Sequence, residues 1–307
     1  MKLLITGATG VVGKTLVQKL LDDGNEVHYL TTQSSKLDSI QGAKGFFWNP
    51  DLDQIDTACF HEVETIIHLA GATVAKRWTK KYKEQIYSSR IKPTQLLLKG
   101  LVEIKENLKV KHLISASAIG IYPSHPYRQV TENTLTTPHT FMEKVVCDWE
   151  KEVDQFNKVG IRVCKLRIGL VLSPKGGVLG TLKIPTKIGL GAAFGTGEQG
   201  QSWIHISDLV GIFKNAVEAQ WEGVFNAVSP NPVSQNELIS ALAKSLKKPN
   251  FFPPIPSFLL RFILGEMSAL VLDSHWVSAQ KTINQGYQFQ FPEIQKALHH
   301  LVSQSDK

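Results

Sequence analysis

Residues 3–13 read Leu3-Leu4-Ile5-Thr6-Gly7-Ala8-Thr9-Gly10-Val11-Val12-Gly13, an apolar run that passes through three glycines spaced G-x-x-G-x-x-G and on into Leu16, Val17, Leu20 and Leu21 at helical spacing. Strand, glycine turn and helix in that order make a cradle for a nucleotide phosphate. Gly7 and Gly10 keep side chains out of the space between backbone and pyrophosphate, and Gly13 lets the helix pack closely on the strand. The unpaired N–H groups of the first helical turn then face the anion. Thr9 and Val11, in the same turn, belong to the expected contact set.

A chain of 307 residues can bury a sizeable core unaided and has room for about two units. Cys59, Cys147 and Cys164 are far apart, with no C-x-x-C pair, so neither a zinc site nor a disulfide framework is written in the sequence and no metal is expected. A reduced, cytoplasmic setting fits, and the first strand begins at Lys2 with no room ahead of it for a secretory signal. The apolar stretch from Pro256 to Leu272 carries Arg261 and Glu266, too short and too charged to span a bilayer, and reads as an amphipathic helix docked on the body. The net charge of +7 and the basic-aromatic run Lys76-Arg77-Trp78-Thr79-Lys80-Lys81-Tyr82-Lys83 raise nucleic-acid binding. The same run is explained as a loop and the solvated start of a helix reaching Leu98, and an anionic cofactor accounts for a basic surface. Neither a nucleic-acid nor a membrane partner is expected; a homodimer is left open.

Strand patterns at 2–6, 26–30, 65–69, 111–115, 162–167 and 224–228 alternate with helical ones, which predicts an α/β fold with a parallel, doubly wound sheet covered on both faces. Beyond Ser173 the pattern gives way to glycine-rich loops, Lys175-Gly176-Gly177 and 189–197, and to helices over 234–247, 256–272 and 292–301, expected to build a smaller, mainly helical lobe.

The end of the second strand bears on cofactor choice. An acid about 20 residues after the glycine motif would bind both ribose hydroxyls of NAD. The chain instead reads Thr31-Thr32-Gln33-Ser34-Ser35-Lys36, with no carboxylate to repel a 2′-phosphate and with Thr31, Thr32, Ser34 and Lys36 as its candidate contacts. NADP is therefore expected, with NAD as the alternative.

Four motifs carry a family resemblance: Thr6–Gly13, His68-Leu69-Ala70-Gly71-Ala72, Ser115–Tyr122 followed by Thr131-Glu132, and Arg167–Leu172. They resemble the extended or atypical short-chain dehydrogenase/reductases of the NAD-dependent epimerase/dehydratase superfamily. Arg77-Trp78, Ser89-Arg90, Gly189–Gly191, Ser202–Asp208, Asn226–Val233 and Gly265–Met267 narrow the likeness to the epimerase-like branch with a C-terminal domain of unknown function. The resemblance implies a Rossmann-type domain over 1–172, with 206–228 returning to it, and a substrate lobe from 173–205 and 229–307. It also implies a nucleotide cofactor touched by Leu69, Ala70, Gly71 and Arg167.

The superfamily usually moves its proton with a Tyr-x-x-x-Lys pair. With Glu150 aligned on the acid that follows that lysine, Met142 stands in the tyrosine place and Val146 in the lysine place, and neither can transfer a proton. Ser117 and Tyr122, at a strand's carboxyl end, are the catalytic candidates, with local hydrogen bonding an equal alternative. Arg77, Trp78, Arg90, Trp203 and His205 are candidate substrate contacts: the arginines as anion clamps, His205 as an acid/base near neutral pH. The expectation is an NADP-binding oxidoreductase or epimerase-like protein acting on a small polar molecule; the alternative is a non-catalytic nucleotide sensor or interaction protein.

Overall fold

The computed structural model describes residues 1–104, 109–174 and 176–305. Lys175 of the expected 175–177 loop lies outside them. Near-continuous apolar strands, such as Leu3-Leu4-Ile5 with no solvent exposure, can be satisfied only with both sheet faces covered. The large sheet has eight strands: β1 (Lys2–Thr6), β2 (Glu26–Thr31), β3 (Ala43–Asn49), β4 (Gln54–Ile55), β5 (Thr65–His68), β6 (His112–Ala118), β7 (Arg162–Ile168) and β8 (Gly223–Ala227). Their spatial order is β8-β7-β6-β5-β1-β2-β3-β4, every pairing parallel except β3 with β4. The order reverses between β1 and β5, the switch point where open α/β sheets bind ligands at their carboxyl ends.

Ten α-helices follow along the described chain: α1 (Val11–Asp22), α2 (Lys80–Glu103), α3 (Phe141–Asp154), α4 (Val178–Lys187), α5 (Ile206–Glu218), α6 (Gln235–Ser245), α7 (Ser257–Leu264), α8 (Ala269–Leu272), α9 (Gln280–Asn284) and α10 (Ile294–Ser305). α1 lies beside α5, α2 beside α3, and α10 beside α6. Leu16, Val17 and Leu20 of α1 and Leu209, Ile212 and Phe213 of α5 fill the main core. A second cluster of Ile121, Tyr122, Val130, Val146, Val228, Val277 and Ala279 forms where segment 276–279 comes against β6 and α3.

The six expected strands are present within three residues of their predicted ends, the first without any offset. β3 was not expected: Phe46 and Trp48 alternate inward, but the flanking Lys44, Gly45 and Asn49 dilute the pattern. The single helix expected over 256–272 is broken at Gly265, whose φ of 59° ends α7 before a 3-10 turn leads into α8. Nor is α7 docked by its apolar face: only Leu260 is buried, while Phe258 and Phe262 are 73% and 85% exposed. No helix among the described residues is long and apolar enough to cross a membrane.

Candidate functional site

The glycine turn leaves β1 at the switch point. Gly7 has φ of 68°, and a Cβ there would lie 2.8 Å from the Leu69 carbonyl oxygen, so only glycine lets β1's exit run against β5's exit. A Cβ on Gly13 would fall 2.2 Å from the Gly7 carbonyl oxygen, so Gly13 is where α1 meets the turn. Gly10 is different: it is exposed and caps α1 without a side-chain bond, leaving the helix's leading N–H groups to an incoming anion. A Cβ on Gly10 would lie 3.2 Å from the Gly7 carbonyl oxygen and would otherwise point into open space.

Behind the turn a buried relay ties β1 to α2. The Thr6 hydroxyl accepts from the Leu69 and Ala70 amides, each at 3.0 Å, and bonds His68 Nδ1 at 2.8 Å. His68 Nε2 bonds the Thr94 hydroxyl at 3.1 Å, and Thr94 donates to the Arg90 carbonyl at 2.6 Å. Thr94's proton being spent on that carbonyl, Nε2 carries the hydrogen and Nδ1 accepts from Thr6. Burial holds His68 neutral, its pKa pulled down to about 3. The loop 69–71 and Arg90 are thus one rigid unit, and a Cβ on Gly71 would sit 3.4 Å from the Arg90 guanidinium carbon.

At the end of β2, Thr32 and Ser34 are exposed and Lys36 is half-buried. Thr31 is buried, its hydroxyl turned inward to accept from the Gln33 amide at 3.2 Å, so it closes the turn instead of facing a ligand.

Beyond Gly71 opens a cleft of about 510 Å³. It is walled by the ends of β6 (Ala118) and β7 (Ile168), the first turns of α3 (Phe141, Met142, Val146), Trp78, and Leu270, Asp273 and His275 from the C-terminal segment. Trp78 meets Phe141 edge-on at 5.3 Å, its indole N–H held by the Val74 carbonyl. A capping box in which Thr140 and Glu143 bond each other's amides starts α3 and fixes Glu143 at the cleft. Arg90 lines the cleft, mostly buried, over the Trp149 ring at 5.4 Å; it donates only to the Ile86 and Ala72 carbonyls and has no acidic partner among the described residues. Burial draws its pKa down to about 10. Asp273 has no hydrogen-bonded side-chain partner among the described residues, and burial, with Glu143 nearby, raises its pKa. Burial draws His275 down to about 4 and leaves its Nδ1 unpaired.

Several expected site residues are engaged elsewhere. Ser117 is buried and donates to Glu150 at 2.6 Å; it does not line the cleft. Tyr122 presents its ring to the cleft, but its hydroxyl donates to Asn226 Oδ1 at 2.8 Å and accepts from Arg167 at 2.9 Å, so no free proton donor stands there. Arg167 is no free clamp for cofactor or substrate: it grips Glu150 with two bonds. Trp203 is fully buried with its N–H on the Asn231 carbonyl. His205 caps α5 by accepting from the Ser207 amide, stacks on Phe291 at 3.9 Å, and is held neutral by burial and His300, its pKa pulled down to about 4; it is a structural histidine. Arg77 is exposed and outside the cleft lining, whereas Trp78 and Arg90 line it. Asp273 and His275 escaped sequence reading because only their tertiary placement joins them to α3; the residues around them, Leu272-Asp273-Ser274-His275, carry no motif.

A glycine cradle at the switch point of a parallel sheet, opening onto an apolar cleft at the same edge, defines a nucleotide-binding α/β protein of Rossmann type. The chain belongs to the NAD dependent epimerase/dehydratase family, whose model matches residues 3–227, and residues 255–301 match a domain of unknown function, DUF1731. It is 36% identical over 306 residues to an epimerase family protein of Staphylococcus aureus (strain MRSA252), covering 98% of each. Among solved structures it is similar to human epimerase family protein SDR39U1 with NADPH (TM-score 0.85, 26% identity, 99% of each chain). It is also similar to a nucleoside-diphosphate sugar epimerase from Corynebacterium glutamicum (TM-score 0.78, 29% identity, 98% of this chain and 58% of that one).

Proposed function

We propose that the chain binds NADP(H) in the cradle of Gly7, Gly10 and Gly13 and works as an oxidoreductase or epimerase-like enzyme on a small molecule held in the adjoining cleft. One observation carries the reading: Gly7 packs against Leu69 and Gly71 against Arg90, so the short segment 69–71 links the cradle to the cleft that Arg90 lines. The human relative solved with NADPH supports the choice of cofactor, as does the run 31–36, which holds no carboxylate.

The nicotinamide, when bound, supplies or takes a hydride. The protein's own part is to hold the phosphates on the first turn of α1, to keep water from the reacting carbon with Trp78, Phe141, Met142 and Ile168, and to move one proton. Met142 and Val146 cannot do that, and the hydroxyls of Ser117 and Tyr122 are spent in the network around Glu150. The Asp273 carboxyl, raised in pKa and without a hydrogen-bonded partner among the described residues, is the group this reading assigns to the proton. The apolar pair 142/146 is also what a non-catalytic nucleotide sensor would tolerate. NADPH binding by calorimetry, followed by NADPH oxidation across a panel of aldehydes, ketones and nucleotide sugars, decides between them: binding without turnover favours the sensor, and no binding ends both readings.

A further inference from the structure

We propose that the cleft receives a small, predominantly apolar molecule bearing one carboxylate, and that Arg90 binds that carboxylate. The inference rests on reading the cleft as the substrate site and names what enters it.

The walls set the body of the ligand. Trp78, Phe141, Met142, Val146, Ile168 and Leu270 offer rings and aliphatic carbon; Thr140, Ser202, Tyr122 and Gln201 line the cleft too, but the first three already bond the Glu143 amide, the His275 carbonyl and Asn226 through their hydroxyls, which leaves few free hydrogen-bonding groups for a sugar.

Charge sets its end. Arg90 is the one Lys or Arg among the described lining residues. Its Nη1 donates to Ile86 O at 2.8 Å and its Nη2 to Ala72 O at 3.3 Å, bonds to neutral carbonyls that, with the Trp149 ring at 5.4 Å, leave it without a counterion and with three N–H donors unspent. A desolvated cation without a counterion is costly. This chain supplies the counterion where an arginine is structural, as Glu150 does for Arg167. At Arg90 it does not, and a planar carboxylate fits the guanidinium edge.

The remaining lining charges exclude a diphosphate. Glu266 is already paired with Lys83 at 2.7 Å, Glu143 is held by the His139 and Thr140 amides, and Asp273 faces both Glu143 and Arg261. With Glu266 answered by Lys83 and Asp273 by Arg261 from behind the wall, the lining itself presents one cation, Arg90, and no second one to hold a polyanion, so it suits a ligand whose only charge lies at Arg90.

The test uses the full chain saturated with NADPH and three probes titrated by calorimetry: 3-phenylpropanoate, its uncharged analogue 3-phenylpropanol, and UDP-glucose. The expected result is that the carboxylate binds about tenfold or more tightly than the alcohol, that UDP-glucose binds more weakly than either, and that Arg90→Gln removes the carboxylate's advantage with NADPH affinity unchanged. Arg90→Lys, which keeps the charge without the fork, retains part of the advantage and serves if Arg90→Gln does not fold. Equal binding of carboxylate and alcohol, no carboxylate binding at millimolar concentration, or tighter UDP-glucose binding overturns the proposal. So does a parallel loss of NADPH affinity in Arg90→Gln, which reassigns Arg90 to a cofactor phosphate. NADPH titrated alone onto the unmodified chain is read separately: failure there overturns the cofactor reading, whereas probe failure with NADPH bound overturns only the role of Arg90.

Discussion

Arg167 holds Glu150 by two parallel hydrogen bonds, Nε to Oε1 at 2.8 Å and Nη2 to Oε2 at 2.9 Å, and neither residue lines the cleft. Burial pushes the Glu150 carboxyl upward, but the bonds from Arg167 and Ser117 outweigh it and hold the group below its ordinary range. The pair joins α3 to β7, and through Ser117 to β6, beneath the cleft floor.

Breaking it from one side should be severe. Glu150→Gln leaves the Arg167 guanidinium buried without a counter-charge, a loss of about 3–5 kcal/mol in chemical denaturation. Ser117→Ala removes one hydrogen bond and should cost about 1–3 kcal/mol. NADPH affinity should stay unchanged in Ser117→Ala; a large loss there would mean that Ser117 belongs to the site after all.

Two of the cradle's three glycines, Gly10 and Gly13, should separate binding from folding. Gly10→Val places a branched side chain at an exposed position 3.2 Å from the Gly7 carbonyl oxygen, so the fold should survive with some loss of stability while NADPH binding is lost. Gly13→Val puts its Cβ 2.2 Å from the Gly7 carbonyl oxygen, so it should fail to fold or melt far lower. Calorimetry and thermal melts of both variants distinguish these outcomes, and a folded Gly10→Val that binds NADPH normally removes the cradle.

This contrast marks how far the sequence was legible. The cradle was readable because everything it needs, strand, glycines and helix, lies within residues 3–21, and most of the parallel sheet because six of its eight strands announce themselves locally, β3 and β4 being the exceptions. The partners of Arg167 and His205 were not. An arginine reads the same whether it meets Glu150 or a substrate, and His205 looks like an acid/base until Phe291 and His300, far along the chain, are found against it. Arg90 stands out only once the structure shows which cations have found an acid. Asp273 reaches the cleft through a segment whose helix is cut at Gly265, a break that the apolar periodicity of 256–272 conceals.

Cofactor selectivity should favour NADP(H) over NAD(H) by about tenfold, since one charge-assisted phosphate contact is worth on the order of 1.5–3 kcal/mol before solvent screening. Lys36→Ala should close most of the gap, because Thr31, with its hydroxyl turned inward, cannot replace the lysine. Equal affinities in the unmodified chain would show that residues 31–36 do not read the phosphate.

Stability should decline on mild acidification. His68 and His205 are neutral in the fold, with pKa values drawn down to about 3 and about 4, and take up a proton when unfolded. Their contribution is complete above about pH 6.5 and is lost as the pH falls toward 4, at about 1.4 kcal/mol per unit for each histidine. Asp208, raised by burial, works in the opposite direction, because its folded form binds a proton first. Urea midpoints measured from pH 7 to pH 4.5 should fall, and an imidazolium signal from His68 at pH 5 would contradict the relay.

The proton step gives the sharpest test of the chemistry. Met142 and Val146 line the cleft where the superfamily's tyrosine and lysine are expected, and both are inert, so Met142→Ala should change turnover little and Val146→Ala should act through the cavity it leaves. Asp273 lies in the same cleft with a raised pKa, so Asp273→Asn should lower turnover by about 10² to 10⁴ while NADPH still binds. Direction follows from protonation. Carbonyl reduction needs the acid form, so its rate falls as the pH rises through Asp273's pKa; alcohol oxidation needs the carboxylate, so its rate falls as the pH drops through it. Asp273→Asn should erase that limb of the profile in both directions. If the limb persists in Asp273→Asn and vanishes in Tyr122→Phe, the proton travels through the Tyr122–Arg167 network, and the assignment of Asp273 fails.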